Sequence, residues 1–308
     1  MLRRIKNRLL QPLHRKRLIL DLCEKLNTIR GKSDVLVIYG APTKTHYLGI
    51  ANATRDLYPE NVLEIPQSYS NAILSDDEII KVCQQIKELK FEKVIVSGFA
   101  QYFFKFIDEL YTSCQIETLY HGTISEFHSI PAQYLIESLI LYGQEKKIYR
   151  MGFVKQGLEK VFSELYGFDT FYQPLKASTI PPGVKLIETD PTKIHIGVLG
   201  NNNFNKNLHN QVIYALMNKN TVVHVLDENV FNFMKLNARI IAHGRNLSRM
   251  EFLGILGAMD LNLYMSYSES HGLVAYESEA MGVPCLRLDD VDYYTKISTA
   301  INKKQVKE

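Results

Sequence analysis

The sequence predicts a two-domain α/β protein: two halves, each a parallel sheet covered by helices, facing each other across a cleft. Three observations lead there. Short strands that are apolar on both faces alternate with helical stretches, the pattern of sheets buried on both sides. The alternation pauses over residues 174–191, punctuated by Pro174, Pro181, Pro182 and Gly183, and then resumes. A chain of 308 residues suits two domains of ordinary size, and its 46% hydrophobic and 22% charged residues mark it as globular.

Asp34–Tyr39 reads as the first buried strand. It runs into the turn Gly40-Ala41-Pro42-Thr43 and a helical stretch through Arg55. Ser75, with Glu78 three residues on, forms a capping box that opens a helix ending near Lys90. Lys93–Ser97 is the second strand, closed by Gly98 and followed by a helix through Leu110. Gln115–Tyr120 is the third, delivering His121-Gly122-Thr123, and helical segments cover roughly 132–165. After the pause, Lys193–Leu199 is a strand that ends in Gly200 and a polar loop, followed by a helix over Leu208–Met217 and a strand over Thr221–Leu226. Ser248 and Glu251 make a second capping box, opening a helix to Ala258. Asp260–Met265 is a strand, Gly272–Met281 a helix and Val283–Leu288 the last strand. The expected division is a basic amphipathic segment over 1–20, a first domain over 21–175, a linker over 176–191 and a second domain over 192–308. Ligands of such sheets bind beyond the carboxyl ends of the strands.

Charge is unevenly placed. The net charge is +3, yet the first 17 residues hold seven bases (Arg3, Arg4, Lys6, Arg8, Arg15, Lys16, Arg17) and no acid. In the rest of the chain 29 bases face 33 acids, a balance of −4. Nucleic-acid binding by the body is disfavoured, since phosphate contacts need a positive surface. Leu2, Ile5, Leu9 and Leu13 recur at helical spacing with bases on the other face. Two readings stand for this segment: a helix lying on an anionic membrane, where each base adds about 1 kcal/mol, or a helix packed on the domain behind it. Pro12 argues against one unbroken helix. No apolar run reaches the ~18–20 residues of a membrane span, and the N-terminus lacks the apolar segment of a secretory signal. Cys23, Cys83, Cys114 and Cys285 are scattered, as reduced thiols are. A cytoplasmic protein is expected, with residues 1–17 able to attach it peripherally to the inner face of the cell membrane.

The stretch Ser266–Pro284 carries the chemistry. It holds a strand end, a loop with Glu269, Gly272, and a helix with Glu277, the two acids separated by seven residues. Amides of Ser270, His271 and Gly272 at the helix N-terminus can donate to an anion or to sugar oxygens. The bland alternative is an amphipathic helix with two exposed acids. No Cys or His pairs sit at metal-ligand spacing. Asp290-Val291-Asp292 follows the last strand and reads as a surface turn, so no metal is expected. G-x-G-x-x-G after the first strand and G-x-S-x-G are both absent.

This stretch resembles the E-x7-E signature of the GT-B glycosyltransferases, of the large retaining family-4 type. That family's usual loop is Glu–Gly–Phe–Gly, and here it reads Glu269-Ser270-His271-Gly272. Glu277 keeps the family spacing to Gly282 and Pro284. The resemblance implies two Rossmann-like domains, with Glu269, Gly272, Leu273 and the Ser270 and His271 amides on the donor sugar and Glu277 on the ribose hydroxyls. It also implies that Gly200 and Lys206 lie at the diphosphate, Lys206 offsetting its charge. Asn201 stands where the family has Arg, and Arg249 and Arg245 are candidate substitutes for the missing charge. His121 falls at the strand end where the family has a histidine toward the donor sugar, with His128 a weaker neighbour. Gly40 lies where the acceptor-side glycine loop would be, without the usual double glycine. Ile180-Pro181-Pro182-Gly183-Val184 is similar to the family's Ile-Pro-Asn-Gly-Val.

The activity implied is transfer of a sugar from a nucleotide-sugar donor to an acceptor hydroxyl on a saccharide, protein glycan or lipid-linked acceptor, retaining and metal-independent, with no cofactor beyond the donor. His121, Lys206 and Glu269 would be its catalytic residues. The alternative is a non-catalytic partner subunit that binds a glycan or another enzyme, suggested by Asn201 and by the short stretch after Leu288.

Overall fold

The computed structural model describes residues 2–42, 48–68, 71–175, 179–227, 239–244, 246–269 and 272–287, without the side chains of 2–14, 71, 72 and 128. The chain clusters into two compact units. The first holds the chain through His121, then Phe127–Val154 and Leu158–Gln173. The second holds Gly122–Glu126, Lys155–Gly157 and the chain from Pro174 onward.

In chain order the first unit contains α1 (Leu2–Arg30), β1 (Val35–Gly40), α2 (Leu48–Leu57), β2 (Val62–Ile65), the short β3 (Gln67–Ser68) and β4 (Asn71–Ala72), α3 (Asp76–Glu88), β5 (Lys93–Ser97), α4 (Phe103–Leu110) and β6 (Gln115–Tyr120). It continues with α5 (Ile130–Gln144), β7 (Arg150–Phe153), α6 (Leu158–Tyr166) and β8 (Thr170–Tyr172). Its main sheet has the order β2-β1-β5-β6-β7-β8, parallel throughout. Leu36, Val37, Ile38 and Val94 are fully buried, which is why these strands read as apolar on both faces. The Glu78 carboxylate accepts from both the amide and the hydroxyl of Ser75 at 2.8 and 3.0 Å, so the first capping box forms.

Three results differ from the sequence reading here. Helix α1 runs unbroken through Pro12, and its later turns bury Leu22, Leu26 and Ile29, so from Arg15 onward it belongs to the first unit. Arg15 lies 3.3 Å from Glu78, at the N-terminus of α3. The helical reading of 132–165 is interrupted by β7, whose Arg150 and Gly152 hide it in the sequence. Gly152 is required there, because a Cβ would lie 2.5 Å from the Phe171 ring. Arg150 and Lys93 each reach the buried Glu117 at 2.8 Å, which offsets the cost of enclosing that carboxylate. Strands β2, β3, β4 and β8 also escaped the reading.

The second unit contains β9 (Ile194–Val198), α7 (Leu208–Leu216), β10 (Thr221–Val225), β11 (Ile240–Ala242), α8 (Arg249–Leu256), β12 (Leu261–Tyr264), α9 (Leu273–Ala280) and β13 (Cys285–Arg287). Its sheet has the order β11-β10-β9-β12-β13, all parallel. Ile196, Val198, Leu208, Val212, Val223 and Val225 form one core cluster, and Leu253, Leu256, Met259 and Val283 belong to another. Ile180, Val184 and Ile187, from the stretch expected as a linker, pack on the second of these. There the Ile187 amide donates to the Gly254 carbonyl at 3.3 Å. A Cβ on Gly254 would lie 2.2 Å from the Lys185 carbonyl oxygen, so this strap sits directly on α8.

Both units are thus Rossmann-like. Strand β11 was not read from the sequence; its three residues offer too short an apolar run. No described helix is long and apolar enough to cross a membrane. All four cysteines are free, with Cys83 buried and the others partly so.

Candidate functional site

In the second unit the strand order reverses beside β9: β10 and β11 lie on one side, β12 and β13 on the other. The loops that leave the carboxyl ends of the adjacent β9 and β12 meet at this switch point, the position where open α/β sheets take ligands. Lys206 comes from the first loop and Glu269 from the second.

Their ion pair is the centre of the site. Lys206 Nζ donates to Glu269 Oε1 and, at 3.1 Å, to the Tyr264 hydroxyl. The Lys206 and Glu269 side chains are only 15% and 14% exposed, so neither is a solvated surface charge. Tyr264, the last residue of β12, is almost entirely enclosed. Burial first, then the neighbouring Glu269 charge and a hydrogen bond to it, hold the Tyr264 phenol well above its ordinary pKa, so it remains an O–H donor.

The two loops are laced by amides. Asn205 Nδ2 donates to the Ser268 carbonyl at 3.1 Å, and Asn207 Nδ2 to the Met265 carbonyl at 3.1 Å. The Tyr267 amide donates to the Asn205 carbonyl at 2.7 Å, and Gln211 Oε1 accepts from the Met265 amide at 2.9 Å. Asn207 adopts a left-handed φ of 53°, a conformation Asn tolerates better than most residues. Sequence reasoning took this run as a plain polar loop and passed over Asn205, Asn207, Gln211 and Tyr264. The available signal was the density of amide side chains directly after a strand.

Gly272 has φ +72 and caps α9, and a Cβ there would approach the Tyr264 ring at 3.3 Å. Glycine thus serves both the turn and the close packing. Gly200 differs: a Cβ would meet the Lys206 side chain at 3.7 Å, an ordinary contact, so nothing within the described protein demands glycine there. Leu273 opens α9. Ser270 and His271 lie outside the described residues, as do Arg245 and the Asp290-Val291-Asp292 turn.

Glu277 points inward from α9 and is 7% exposed. Arg249, at the start of α8, brings its Nη2 within 3.4 Å of it, and the same nitrogen donates to the Thr179 carbonyl at 3.3 Å. The Glu277 charge also reaches the Tyr264 phenol. Both acids of the E-x7-E stretch are thus held inside the unit, which excludes the reading of two exposed acids. Asn201 is exposed, and its Oδ1 accepts from the Asn203 amide at 3.2 Å.

His121 belongs to the first unit, at the end of β6, and is buried. A hydrogen-bond chain sets its tautomer. The Thr54 hydroxyl donates to the Ile50 carbonyl at 2.8 Å, so the Ser97 hydroxyl donates to Thr54 at 2.7 Å, and His121 Nε2–H must donate to Ser97 at 3.0 Å. Gly40 ends β1 with the Gln67 side chain against it. A recess of about 800 Å³ in the same unit is bordered by Tyr111, Tyr149, Tyr166 and Lys147 at the amino ends of the strands, the end opposite to ligand binding in such sheets. Among the described residues no group of three or more His, Cys, Asp or Glu could hold a metal ion.

No protein-family model matches the sequence, and no curated protein matches it either. Solved structures do match. Anabaena HepE (Alr3699), in complex with UDP and glucose, has a TM-score of 0.56 at 12% identity, over 83% of this chain and 80% of that one. The fold is GT-B. Sucrose-phosphate synthase from Thermosynechococcus elongatus has a TM-score of 0.52 at 11% identity, over 82% and 81% of the two chains. A UDP-forming α,α-trehalose-phosphate synthase from Burkholderia xenovorans gives 0.52 at 10% identity, over 83% and 84%. In GT-B terms, the pairs Lys206–Glu269 and Arg249–Glu277 both belong to the C-terminal Rossmann-like unit.

Proposed function

We propose that this protein is a glycosyltransferase that moves a sugar from a nucleoside diphosphate to an acceptor hydroxyl on a saccharide or lipid-linked glycan. The observation that carries the reading is the pair of enclosed acids, Glu269 and Glu277, on one loop-to-helix step beside the switch point, with Lys206 across from the first of them. The binding of UDP and glucose by HepE supports it.

In this reading Glu277 accepts the ribose hydroxyls, as a carboxylate accepts two donors well. Glu269, with the Gly272 amide and those of Ser270 and His271, holds the sugar, and Leu273 lines the same subsite. Gly200 leaves room for the diphosphate. Lys206 and the Asn201 amide meet its oxygens, and Arg249 adds positive charge nearby. The bond from the anomeric carbon to the β-phosphate oxygen breaks, and its electron pair leaves with the nucleoside diphosphate. Lys206 is placed to neutralise that developing charge. The acceptor oxygen bonds to the same carbon, and its proton passes to the leaving phosphate. His121 is assigned to the donor sugar. Following the resemblance, configuration is retained and no metal or other cofactor takes part.

The test offers the purified protein a panel of nucleotide sugars and follows nucleotide release and thermal shift, with and without saccharide and lipid-linked acceptors. Release from one donor, stimulated by one acceptor, is the expected result. A second reading, a non-catalytic partner subunit, is favoured by the uncharged Asn201 where the family has Arg. Absence of binding to every nucleotide would select it.

A further inference from the structure

Lys206 cannot serve a diphosphate fully while it is committed to Glu269. Its ammonium has three N–H donors, and two already point at Glu269 and Tyr264. In the family reading on which this inference rests, the donor's arrival draws Lys206 toward the phosphates. Glu269 then loses the Lys206 ammonium in a largely enclosed position, where each hydrogen bond that holds the carboxylate counts.

A second donor is already in place. The Tyr264 hydroxyl sits between the two partners at the end of β12, 3.1 Å from Lys206 Nζ and bonded to Glu269. Its ring cannot drift: it is nearly fully buried, and Gly272 lies close above it with no Cβ to spare. Unlike the lysine, whose stem carries four rotatable bonds, a packed phenol has no route to follow the phosphates.

We propose that Tyr264 is a positioning residue, which keeps the Glu269 carboxylate in place for the sugar when Lys206 turns from it to the diphosphate. The resting Lys206–Glu269 pair is then a latch that the donor opens, and Tyr264 is the part of the latch that stays. Because the phenol is held far above its ordinary pKa, it stays a donor throughout the working pH range.

The test is Tyr264→Phe, which removes one oxygen and leaves the ring. With the donor identified above, kcat falls about tenfold or more while KM for the donor moves less than about threefold, the pattern expected when a displaced Glu269 costs the transition state more than it costs donor binding. In a Glu269→Gln background the same change adds little, because its partner is already altered. Independently of any activity, limited acetylation with mass spectrometry reads the Lys206 amine. It reacts several times faster in Tyr264→Phe than in the wild type, while the other lysines and the melting temperature are unchanged. Wild-type kcat and wild-type Lys206 labelling in the variant would overturn the proposal. Faster labelling in a protein that turns over no donor would keep Tyr264 as the anchor of the pair and sink the transfer reading instead.

Discussion

Arg249 and Glu277 face each other at 3.4 Å from the first turn of α8 and the middle of α9, two helices of the same unit. The carboxylate is buried and directed into the unit. In the proposed reading, a ribose arriving at Glu277 meets an acid that is already oriented by a cation, with little ordering left to do.

Replacing Glu277 by Ala removes both the proposed hydroxyl acceptor and the partner of a partly buried guanidinium. Nucleotide affinity is expected to fall about 10- to 100-fold, the scale of one or two hydrogen bonds to a charged group, with a drop of a few degrees in melting temperature. Glu277→Gln, which keeps the shape, should lose affinity with a smaller thermal change. Calorimetric titration with nucleoside diphosphates separates the two effects. Unchanged affinity in both variants removes Glu277 from the site.

Asn201 offers a gain-of-function test. It is exposed, so Asn201→Arg can be accommodated, and it restores a cation where the family resemblance places one. Turnover is expected to rise severalfold in Asn201→Arg and to fall about 100-fold or more in Lys206→Ala, the range seen when stabilisation of developing charge is removed. Steady-state nucleotide release measures both. A protein indifferent to both changes is acting as a binding subunit.

Acid should weaken the fold through a three-histidine chain. His195 Nε2 donates to the Asp190 carbonyl at 3.0 Å, so its Nδ1 accepts from His224 Nε2–H at 2.8 Å, and His224 Nδ1 accepts from His243 Nε2–H at 2.8 Å. Burial, followed by the His243 and His195 charges, brings His224 down from 6.5 to about 4. The unfolded chain binds the proton first, so the stabilising contribution is complete above pH 6.5 and is lost as pH falls toward 4. The loss is about 2 kcal/mol by pH 5 and about 3 kcal/mol by pH 4. Urea unfolding between pH 7.5 and 4.5 should show this slope, and His224→Gln should flatten it. An identical slope in the variant assigns the acid sensitivity elsewhere.

The basic N-terminus makes a separate prediction. From Arg15 the helix packs on the first unit, so the membrane reading rests on the residues before it. Removing residues 1–14 should reduce sedimentation with anionic vesicles, more so at low salt, and leave neutral vesicles unaffected. Equal sedimentation of both forms ends the membrane proposal.

The strands read correctly were those whose burial on both faces leaves an uninterrupted apolar run, such as β1, β5 and β9. Strand β7 was hidden because its stability comes from elsewhere in the chain: Glu117 for Arg150, and the Phe171 ring over Gly152. The two capping boxes were legible because both partners lie within three residues. The two enclosed acids of the candidate site were legible because their spacing lies in a single stretch. Tyr264 was not, since an aromatic at a strand end reads as core until Lys206 and Glu269 are found around its hydroxyl. Pro12 misled in the other direction, since a proline lowers the odds of a helix without forbidding it.

The amide lacing between the loops has a cost over time. Asn205 and Asn207 each present an NH₂ group to a carbonyl oxygen. Slow hydrolysis of either side chain to Asp, with loss of ammonia, would set a carboxylate against that carbonyl and turn an attraction into a repulsion. Ageing at either position would therefore register as a loosening around Lys206 and Glu269 rather than in the sheets.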